Sequence, residues 1–309
     1  MGVDEAGNHD MTRCVEHLVS GFREVFRGTD LLDEPVDGVH TTVADLGSAV
    51  IHGGEDAGVA NEQAAHGANV PSDADRHGPD AQGANVTITY HRPSNLDEAV
   101  ILAASGDAVV LGGGTVIGGS RFEANTAVID LQDTDLAGIE ASPDSLTLGA
   151  MTRLTELAES DMVPEVLADL ARRELPRSLR NSATIGGTVA TAHPESQLLA
   201  GLLAYNAIVS ITLTEGSLNA PLAEVLASGL PDGGIITALS LDPSGAAAVE
   251  RTARTPGDTP IVCAVAHATA DSRTTLALSG VAQHPITVAA DAIADLDPPG
   301  DFRGSSEYR

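Results

Sequence analysis

Two glycine-rich stretches, Arg180-Asn-Ser-Ala-Thr-Ile-Gly-Gly-Thr188 and Leu111-Gly-Gly-Gly-Thr115, are the most informative parts of this chain of 309 residues. Both are poor in large side chains, so the backbone of each can approach a ligand closely and offer amide donors to phosphate oxygens. One such stretch is weak evidence. Two of them together suit a ligand that carries a pyrophosphate and a nucleoside at one end. The stretch at 180–188, which is the second along the chain, is followed by Ala192-His-Pro194.

The two commonest nucleotide-binding loops do not match this spacing. A Walker loop requires Gly-Lys-Ser/Thr, and the sequence contains no lysine. A Rossmann fingerprint that used Gly112 and Gly114 would require a third glycine at position 117, which is Ile117. Neither standard nucleotide-binding fold is therefore predicted.

The chain is strongly acidic. Its 44 Asp and Glu residues face 16 basic residues, all arginine, which gives a formal net charge of −28. Such self-repulsion is typical of proteins from extreme halophiles, where concentrated salt screens it; a GC-rich codon bias without salt adaptation is the alternative. The charge argues against nucleic acid as a partner, because phosphates require a basic surface.

Cysteine usage and hydropathy exclude further classes. Cys14 and Cys263 lie far apart with no Cys-x-x-Cys, so the chain is predicted to hold no zinc site and no iron–sulfur cluster of its own. No apolar run reaches the roughly 18 to 20 residues of a membrane span, and no export signal is recognisable. We therefore expect no membrane association and a cytoplasmic location.

The first 85 residues differ in composition from the rest. Residues 52–84 contain almost no large apolar side chain and cannot offset the entropy of ordering, so a disordered extension is predicted. Before them, apolar residues at helical spacing predict one amphipathic helix over residues 15–26. A docking helix and a mistaken translation start both account for this segment.

From residue 86 onward, short strands and helices alternate. The pattern predicts a domain over residues 86–230, with subdomains at about 86–140 and 141–230, and a C-terminal domain over 231–309. The predicted helices cover residues 95–104, 154–159, 165–175 and 198–205. In the C-terminal domain, strands at 235–241, 262–270 and 274–278 are predicted to form an antiparallel sheet, followed by a helix near 287–295.

In order along the chain, seven segments resemble the FAD-binding subunit of molybdenum hydroxylases, that is, the medium subunit of carbon monoxide dehydrogenase and the flavin domain of xanthine dehydrogenase. The resemblance covers roughly residues 86 to 309. Its segments are Tyr90-His-Arg-Pro-Ser94 with Asp97-Glu-Ala99, residues 109–116, Val128-Ile-Asp-Leu131, Leu148-Gly-Ala-Met-Thr152, residues 180–188, Leu202-Leu-Ala-Tyr-Asn-Ala207, and Asp301-Phe-Arg-Gly-Ser-Ser-Glu-Tyr-Arg309.

The resemblance implies a fold, a cofactor and partners. The fold is α+β: a two-part FAD-binding domain of the PCMH type, then a small domain of antiparallel sheet plus helix, which ends earlier than in the family and leaves one sheet face uncovered. FAD is held noncovalently, and molybdopterin and 2Fe-2S clusters belong to a large and a small partner subunit. No catalytic side chain is predicted, because the flavin carries the chemistry. The residues that would bind FAD are Gly112, Gly113, Gly114, Thr115, Val116, Thr184, Ile185, Gly186, Gly187, Thr188 and Gln197.

Four positions depart from the family pattern and leave alternatives open. Thr188 stands where asparagine is usual, Gln197 where an acidic residue is usual, Val116 where a polar residue is frequent, and Val249 where an aromatic residue precedes a Glu-Lys pair. An assembly subunit with a decayed flavin site is one alternative. A standalone FAD-dependent oxidase is another, although the residues after Pro231 are few for a substrate domain.

A local basic island stands out in the acidic chain. Arg172, Arg173, Arg177 and Arg180 fall within nine residues, just before the second glycine stretch. Arg180 could pair with a phosphate or fix the stretch to a carboxylate, and the island could also face a partner subunit.

Overall fold

The computed structural model describes residues 88–106, 108–116, 127–255, 257–269, 271 and 273–309. All of them belong to one of the two compact units into which the chain divides. The predicted N-terminal extension and its helix over residues 15–26 lie outside the described residues. No helix in the described part of the chain is both long and apolar enough to cross a membrane.

A small parallel sheet with one helix forms the first layer. The strands pair in the order β1-β3-β2, and the helix α1 packs against β2 and β3. Asn95 caps α1 by accepting a hydrogen bond from the backbone N–H of Glu98, and two acidic residues in the first turn favour the same end. The elements are β1 (Thr89–His91), α1 (Leu96–Ala103), β2 (Ala108–Leu111) and β3 (Ala127–Asp130).

A five-stranded antiparallel sheet with a group of helices forms the second layer. Its order is β4-β5-β8-β6-β7, and the apolar faces of the helices bury the largest core cluster against it. The strands are β4 (Ile139–Ser142), β5 (Ser145–Gly149), β6 (Ile208–Leu213), β7 (Gly216–Pro221) and β8 (Ile235–Leu241). The helices are α2 (Leu154–Glu159), α3 (Glu165–Glu174), α4 (Arg177–Arg180), α5 (Ile185–Thr191), α6 (Gln197–Ala204) and α7 (Leu222–Ser228).

The position of β8 corrects the sequence prediction. Residues 235–241 were expected to begin the C-terminal sheet, but β8 pairs with β5 on one side and with β6 on the other. Its two faces are apolar enough for a central strand, and Ile235 also belongs to the core under α1. A domain limit at 231 would cut this sheet, so we propose that the limit lies between Leu241 and Ala246.

The third layer is a four-stranded antiparallel sheet of order β12-β11-β10-β9. The expected uncovered face is not found at β10, where all seven residues are buried: α6 covers one face, and side chains that include Ile293 and Leu296 pack on the other. The predicted helix near 287–295 is wrong in its first part, which is β12, and right only from residue 290, as a 3-10 helix. The strands are β9 (Ala246–Thr252), β10 (Val262–Ala268), β11 (Thr274–Ser279) and β12 (Ile286–Val288), and the 3-10 helix is Ala290–Asp295.

Candidate cofactor site

The first glycine stretch leaves the end of the parallel strand β2. The backbone N–H of Leu131 donates to the carbonyl of Leu111 at 3.1 Å, which ends the β2–β3 ladder and releases the chain at Gly112. Gly114 has φ +68°, a left-handed conformation that favours glycine. Among the described residues, the amides of residues 112–116 donate to no protein acceptor. Within the part of the chain that the structure describes, they form a short run of donors available to a ligand.

The second stretch ends in the start of a helix that was not among the predicted helices. Thr184 is the N-cap of α5, and its hydroxyl accepts a hydrogen bond from the backbone N–H of Gly187 at 3.2 Å. The other amides of the first turn are also engaged: Ile185 donates to Thr152 at 3.0 Å, Gly186 to Ala150 at 2.8 Å and Thr188 to Thr184 at 3.0 Å. The amides of residues 185–188 are therefore satisfied within the protein.

The two stretches touch each other. A Cβ atom added at Gly113 would lie 1.8 Å from the carbonyl oxygen of Ser182 and 2.9 Å from the Cα atom of Ala183, and one added at Gly112 would lie 2.8 Å from the Thr184 hydroxyl. These distances are too short for any side chain, so the absence of Cβ is what lets the two backbones meet. The parallel-sheet layer and the α5 end of the second layer are joined at this contact.

The second stretch itself contains two glycines, Gly186 and Gly187, and close packing also explains the buried one, Gly186. A Cβ at Gly186 would lie 2.9 Å from both the Cβ and the carbonyl oxygen of Ala150. Gly187 is less crowded, because its added Cβ would meet only the Thr184 hydroxyl at 3.1 Å. Of the two, only Gly187 leaves room on its outer side.

The side chains that the sequence singled out divide into buried and accessible groups. Ile185 is fully buried and belongs to the core, and Thr184 is 4% exposed as a helix cap. The hydroxyl of Thr188 donates to the carbonyl of Thr184 at 3.0 Å. Thr115 is half-buried and Val116 is 49% exposed, so these two side chains remain available at the rim of the first stretch.

Gln197 is not among the residues that meet at the glycine contact. It is the first residue of α6, is 2% exposed, and lines a cleft of about 690 Å³ together with Arg180. Its side-chain Oε1 is buried and has no hydrogen-bond partner among the described residues. Glu174 caps the same helix end, because its Oε2 accepts from the backbone N–H of Leu198 at 3.0 Å; desolvation by burial raises the pKa of this carboxyl.

The loop that leads from α5 to α6 is held by the C-terminal segment. Glu195 in this loop pairs with Arg303 and lies 3.7 Å from the Nη2 atom of Arg309. The Arg309 side chain is 3% exposed; its Nη1 donates to the carbonyl of Gly280 at 2.7 Å and its Nη2 lies 2.6 Å from Asp301. The sequence could not reveal this network, because Glu195 and Arg303 are 108 residues apart.

Other titratable groups near the site have structural roles. The Nδ1 atom of His193 accepts from the backbone N–H of Glu195 at 3.3 Å, as expected for a hydrogen-bonded residue in a turn. Cys263 is buried in β10, and burial raises its pKa to about 12. The described residues contain no group of three or more His, Cys, Asp or Glu side chains that could hold a metal ion.

Residues 85–241 match the model of the family described as the FAD binding domain in molybdopterin dehydrogenase. The match covers half of the chain, and the protein belongs to this family. The family that the sequence pattern predicted is thereby confirmed, and so is the α+β fold of the described residues.

Individual relatives extend the likeness beyond the family domain. The chain is 27% identical over 264 residues to the 6-hydroxypseudooxynicotine dehydrogenase complex subunit alpha of Paenarthrobacter nicotinovorans, covering 72% of this chain and 89% of that protein. It is 27% identical over 237 residues to YgfM of Escherichia coli strain K12, covering 71% and 90%. It is 33% identical over 114 residues to the carbon monoxide dehydrogenase medium chain of Hydrogenophaga pseudoflava, covering 34% and 40%.

Solved structures show the same fold. The carbon monoxide dehydrogenase of Hydrogenophaga pseudoflava that lacks the Mo-pyranopterin moiety matches with a TM-score of 0.65 at 24% identity, over 72% of this chain and 91% of that one. Quinoline 2-oxidoreductase of Pseudomonas putida 86 matches with a TM-score of 0.64 at 19% identity, over 72% and 90%. At these identities the likeness concerns the fold alone.

Proposed function

We propose that this protein is the FAD-binding electron-transfer subunit of a multi-subunit molybdenum hydroxylase. In this role it takes electrons from the 2Fe-2S clusters of a small partner subunit and passes them through FAD to an external acceptor, while a large subunit with molybdopterin oxidises the substrate. The family match carries the proposal, and the relatives named as subunits of dehydrogenase complexes support it.

The residues present fit a noncovalently bound FAD. The open amides of residues 112–116 suit its pyrophosphate, because hydrogen bonds to a charged group contribute about 1.5 to 3 kcal/mol each. The unpartnered Oε1 of Gln197 is an acceptor that suits a hydroxyl of the ribityl chain. Thr115 and Thr188 stand at the two stretches, and of residues 183–188 only Gly187 and Thr188 have accessible surface for the cofactor.

FAD supplies the redox chemistry when it is bound, and the protein holds and orients it. The contact of Gly113 with Ser182 fixes the first stretch against the second, so the open amides keep one arrangement. A rigid set of donors loses little conformational entropy when the ligand arrives. The neutral amides also bind the pyrophosphate without a buried cation that would cost desolvation.

One pair of variants tests directly whether the amides of residues 112–116 bind the pyrophosphate. Thr115→Pro removes one backbone N–H from the first stretch, whereas Thr115→Val keeps the N–H and removes the hydroxyl. We expect FAD affinity, measured by fluorescence titration at high salt, to fall at least about tenfold in Thr115→Pro, the scale of one lost charge-assisted bond. Equal FAD affinities for Thr115→Pro and the wild-type protein would refute the assignment of these amides to FAD.

The subunit role is tested on the purified protein and its complex. The wild-type protein should be yellow, should release FAD on acid precipitation, and should copurify with the molybdopterin and iron–sulfur subunits when all three are produced together. A colourless protein that fails to take up FAD but still copurifies would indicate the assembly subunit. A flavoprotein that reduces its acceptor without partners would indicate the standalone oxidase.

A further inference from the structure

The cleft that Gln197 lines is built from two separate parts of the chain. One side consists of the end of α3, the helix α4 and the start of α6, and it contains the basic island within residues 172–180. The other side consists of the end of β9 and the β9–β10 connection, with Arg251 and Arg254. Near α3, Arg251 joins the two sides, because its Nη2 atom lies 2.9 Å from Asp169. A second join lies near the start of α6.

Arg303 of the C-terminal segment forms this second join. Its Nη1 atom donates to Oε2 of Glu195, two residues before the start of α6. Its Nη2 atom donates to the carbonyl of Thr259, which lines the opposite side of the cleft. The side chains of Glu195 and Arg303 are only 12% and 14% exposed, so water screens their attraction weakly. One guanidinium therefore connects the two sides of the cleft.

The position of Glu195 determines the position of Gln197. Ser196, the residue between them, is 2% exposed and is the N-cap of α6. Its hydroxyl accepts from the backbone N–H of Leu199 at 3.1 Å, and its own N–H donates to the carbonyl of His193 at 3.0 Å. A shift of Glu195 therefore moves the first turn of α6.

Other contacts of the C-terminal segment hold Arg303 and the α5–α6 loop in place. Oδ1 of Asp301 accepts from the backbone N–H of Arg303 at 2.8 Å, and Oδ2 lies 2.6 Å from Nη2 of Arg309. The hydrogen bonds from Arg309 and from the backbone lower the pKa of Asp301, so this carboxyl stays charged at neutral pH. Arg309 also donates to the carbonyl of Gly280, whose N–H donates to the carbonyl of Pro194 at 2.8 Å. The loop is thus held at two neighbouring residues.

We propose that Arg303 is a positioning residue for the FAD of the proposed function, on which this inference rests. Its guanidinium sets the separation of the two sides of the cleft. Through Glu195 it also fixes the buried Oε1 of Gln197, which has no hydrogen-bond partner among the described residues. A fixed acceptor loses little conformational entropy when the ligand binds. Arg303 is not one of the described residues that line the cleft, so it acts through Glu195 and Thr259.

The residue type at position 303 matters for this role. A planar guanidinium carries donors on more than one edge, so a single side chain binds a carboxylate and a carbonyl at the same time. Lysine keeps the charge but has one nitrogen atom on a flexible stem, and methionine keeps an unbranched stem without any donor. The variants Arg303→Lys and Arg303→Met therefore separate the charge from the two-sided contact.

The first readout is FAD affinity, measured by fluorescence titration at one fixed KCl concentration and below the unfolding transition of every variant. We expect the Kd for FAD to rise at least about tenfold in Arg303→Met, the scale of one lost hydrogen bond to a charged group, and to rise less in Arg303→Lys. The visible circular dichroism of the bound flavin should change as well, because its surroundings are displaced. Arg273→Met is the matched control, because Arg273 is an exposed arginine outside this cleft that pairs with Asp271.

The second readout requires no FAD. Hydrogen exchange of the backbone N–H groups of Ser196 and Leu199 in the apoprotein should be at least about tenfold faster in Arg303→Met, while exchange in β6 stays unchanged. Glu195→Gln keeps the shape of the side chain and removes its charge, so both readouts should change in the same direction as in Arg303→Met. This variant provides the comparison if Arg303→Met does not fold.

Two results would overturn this role of Arg303. The first is a lower Tm in Arg303→Met with the FAD affinity and flavin circular dichroism of the wild-type protein, which would make Arg303 a stabilising residue only. The second is unchanged hydrogen exchange at the start of α6. Absence of FAD binding by the wild-type protein would instead refute the proposed function, and the exchange rates would then decide whether Arg303 fixes the start of α6. The two failures are therefore distinguishable.

Discussion

The contact between the two glycine stretches predicts a large effect of one methyl group. In Gly113→Ala the new Cβ would lie 1.8 Å from the carbonyl oxygen of Ser182, and that oxygen must retreat by about 1.2 Å to reach 3.0 Å. The obstacle is backbone that is fixed by hydrogen bonds from Ser182 and Ala183 to Leu179, so it has no alternative rotamer. We expect a loss of about 3 kcal/mol in the free energy of unfolding, the upper part of the range for overpacking.

The measurement is thermal unfolding of the apoprotein, followed by FAD titration of the same variant. A loss of about 3 kcal/mol corresponds to a fall in Tm of about 6 to 12 °C for a domain of this size. FAD affinity should fall as well, because the displaced stretch carries the proposed amide donors. Gly257→Ala is the control: its Cβ meets nothing within 4 Å, and both properties should stay unchanged.

The refuting results are specific. An unchanged Tm in Gly113→Ala would show that the two stretches do not pack as closely as the structure indicates. An unchanged Tm with loss of FAD binding would show that a ligand, rather than the protein backbone, is what requires glycine at position 113. Gly186→Val does not separate these readings, because its side chain would collide with Ala150 whether or not FAD is bound.

Three further predictions concern single residues. Thr184→Val removes the N-cap of α5 and should cost about 1 kcal/mol, seen as a lower Tm of the apoprotein; an unchanged Tm with weaker FAD binding would instead make the hydroxyl a cofactor ligand. Arg309→Met should lower the Tm because it removes the Arg309 partner of Asp301 and of the carbonyl of Gly280, and Arg309→Lys should recover part of the loss. Equal Tm values for both variants and the wild-type protein would contradict a stabilising role of the Arg309 contacts. Burial lowers the pKa of His267 below 6.5, so the folded state resists its protonation and the unfolding free energy should fall as the pH drops below about 6.5; His267→Phe, which keeps the ring stacked on Tyr205, should lack that part of the pH dependence.

Local elements and the family were predictable from the sequence. The helix at 154–159 was predicted with its observed bounds. The one at 165–175 differs from α3 by one residue at its end, and the one at 198–205 differs from α6 by one residue at each end. Such helices are set by apolar spacing and by capping residues within a few positions. The order of the glycine stretches and their flanking segments indicated the family, because that order is a property of the chain itself.

The tertiary structure alone decided which strands pair and which glycines contact protein. The sequence of β8 is compatible with either sheet, and only its neighbours β5 and β6 assign it to the second layer. The glycines at 112, 113 and 186 were interpreted as room for a ligand, but the atoms that come close to them belong to Thr184, Ser182 and Ala150.

The amino-acid sequence by itself determined the family and the helices α1, α2, α3 and α6, because these depend on residue type and on spacing over a few positions. That the two glycine stretches bind FAD stays a prediction from the sequence. The sequence could not determine that the amides of residues 185–188 are used within the protein, or that Arg251 and Arg254 join the basic island around one cleft. Such facts depend on contacts between residues that are far apart in the chain. Only the folded arrangement of the layers brings those residues together.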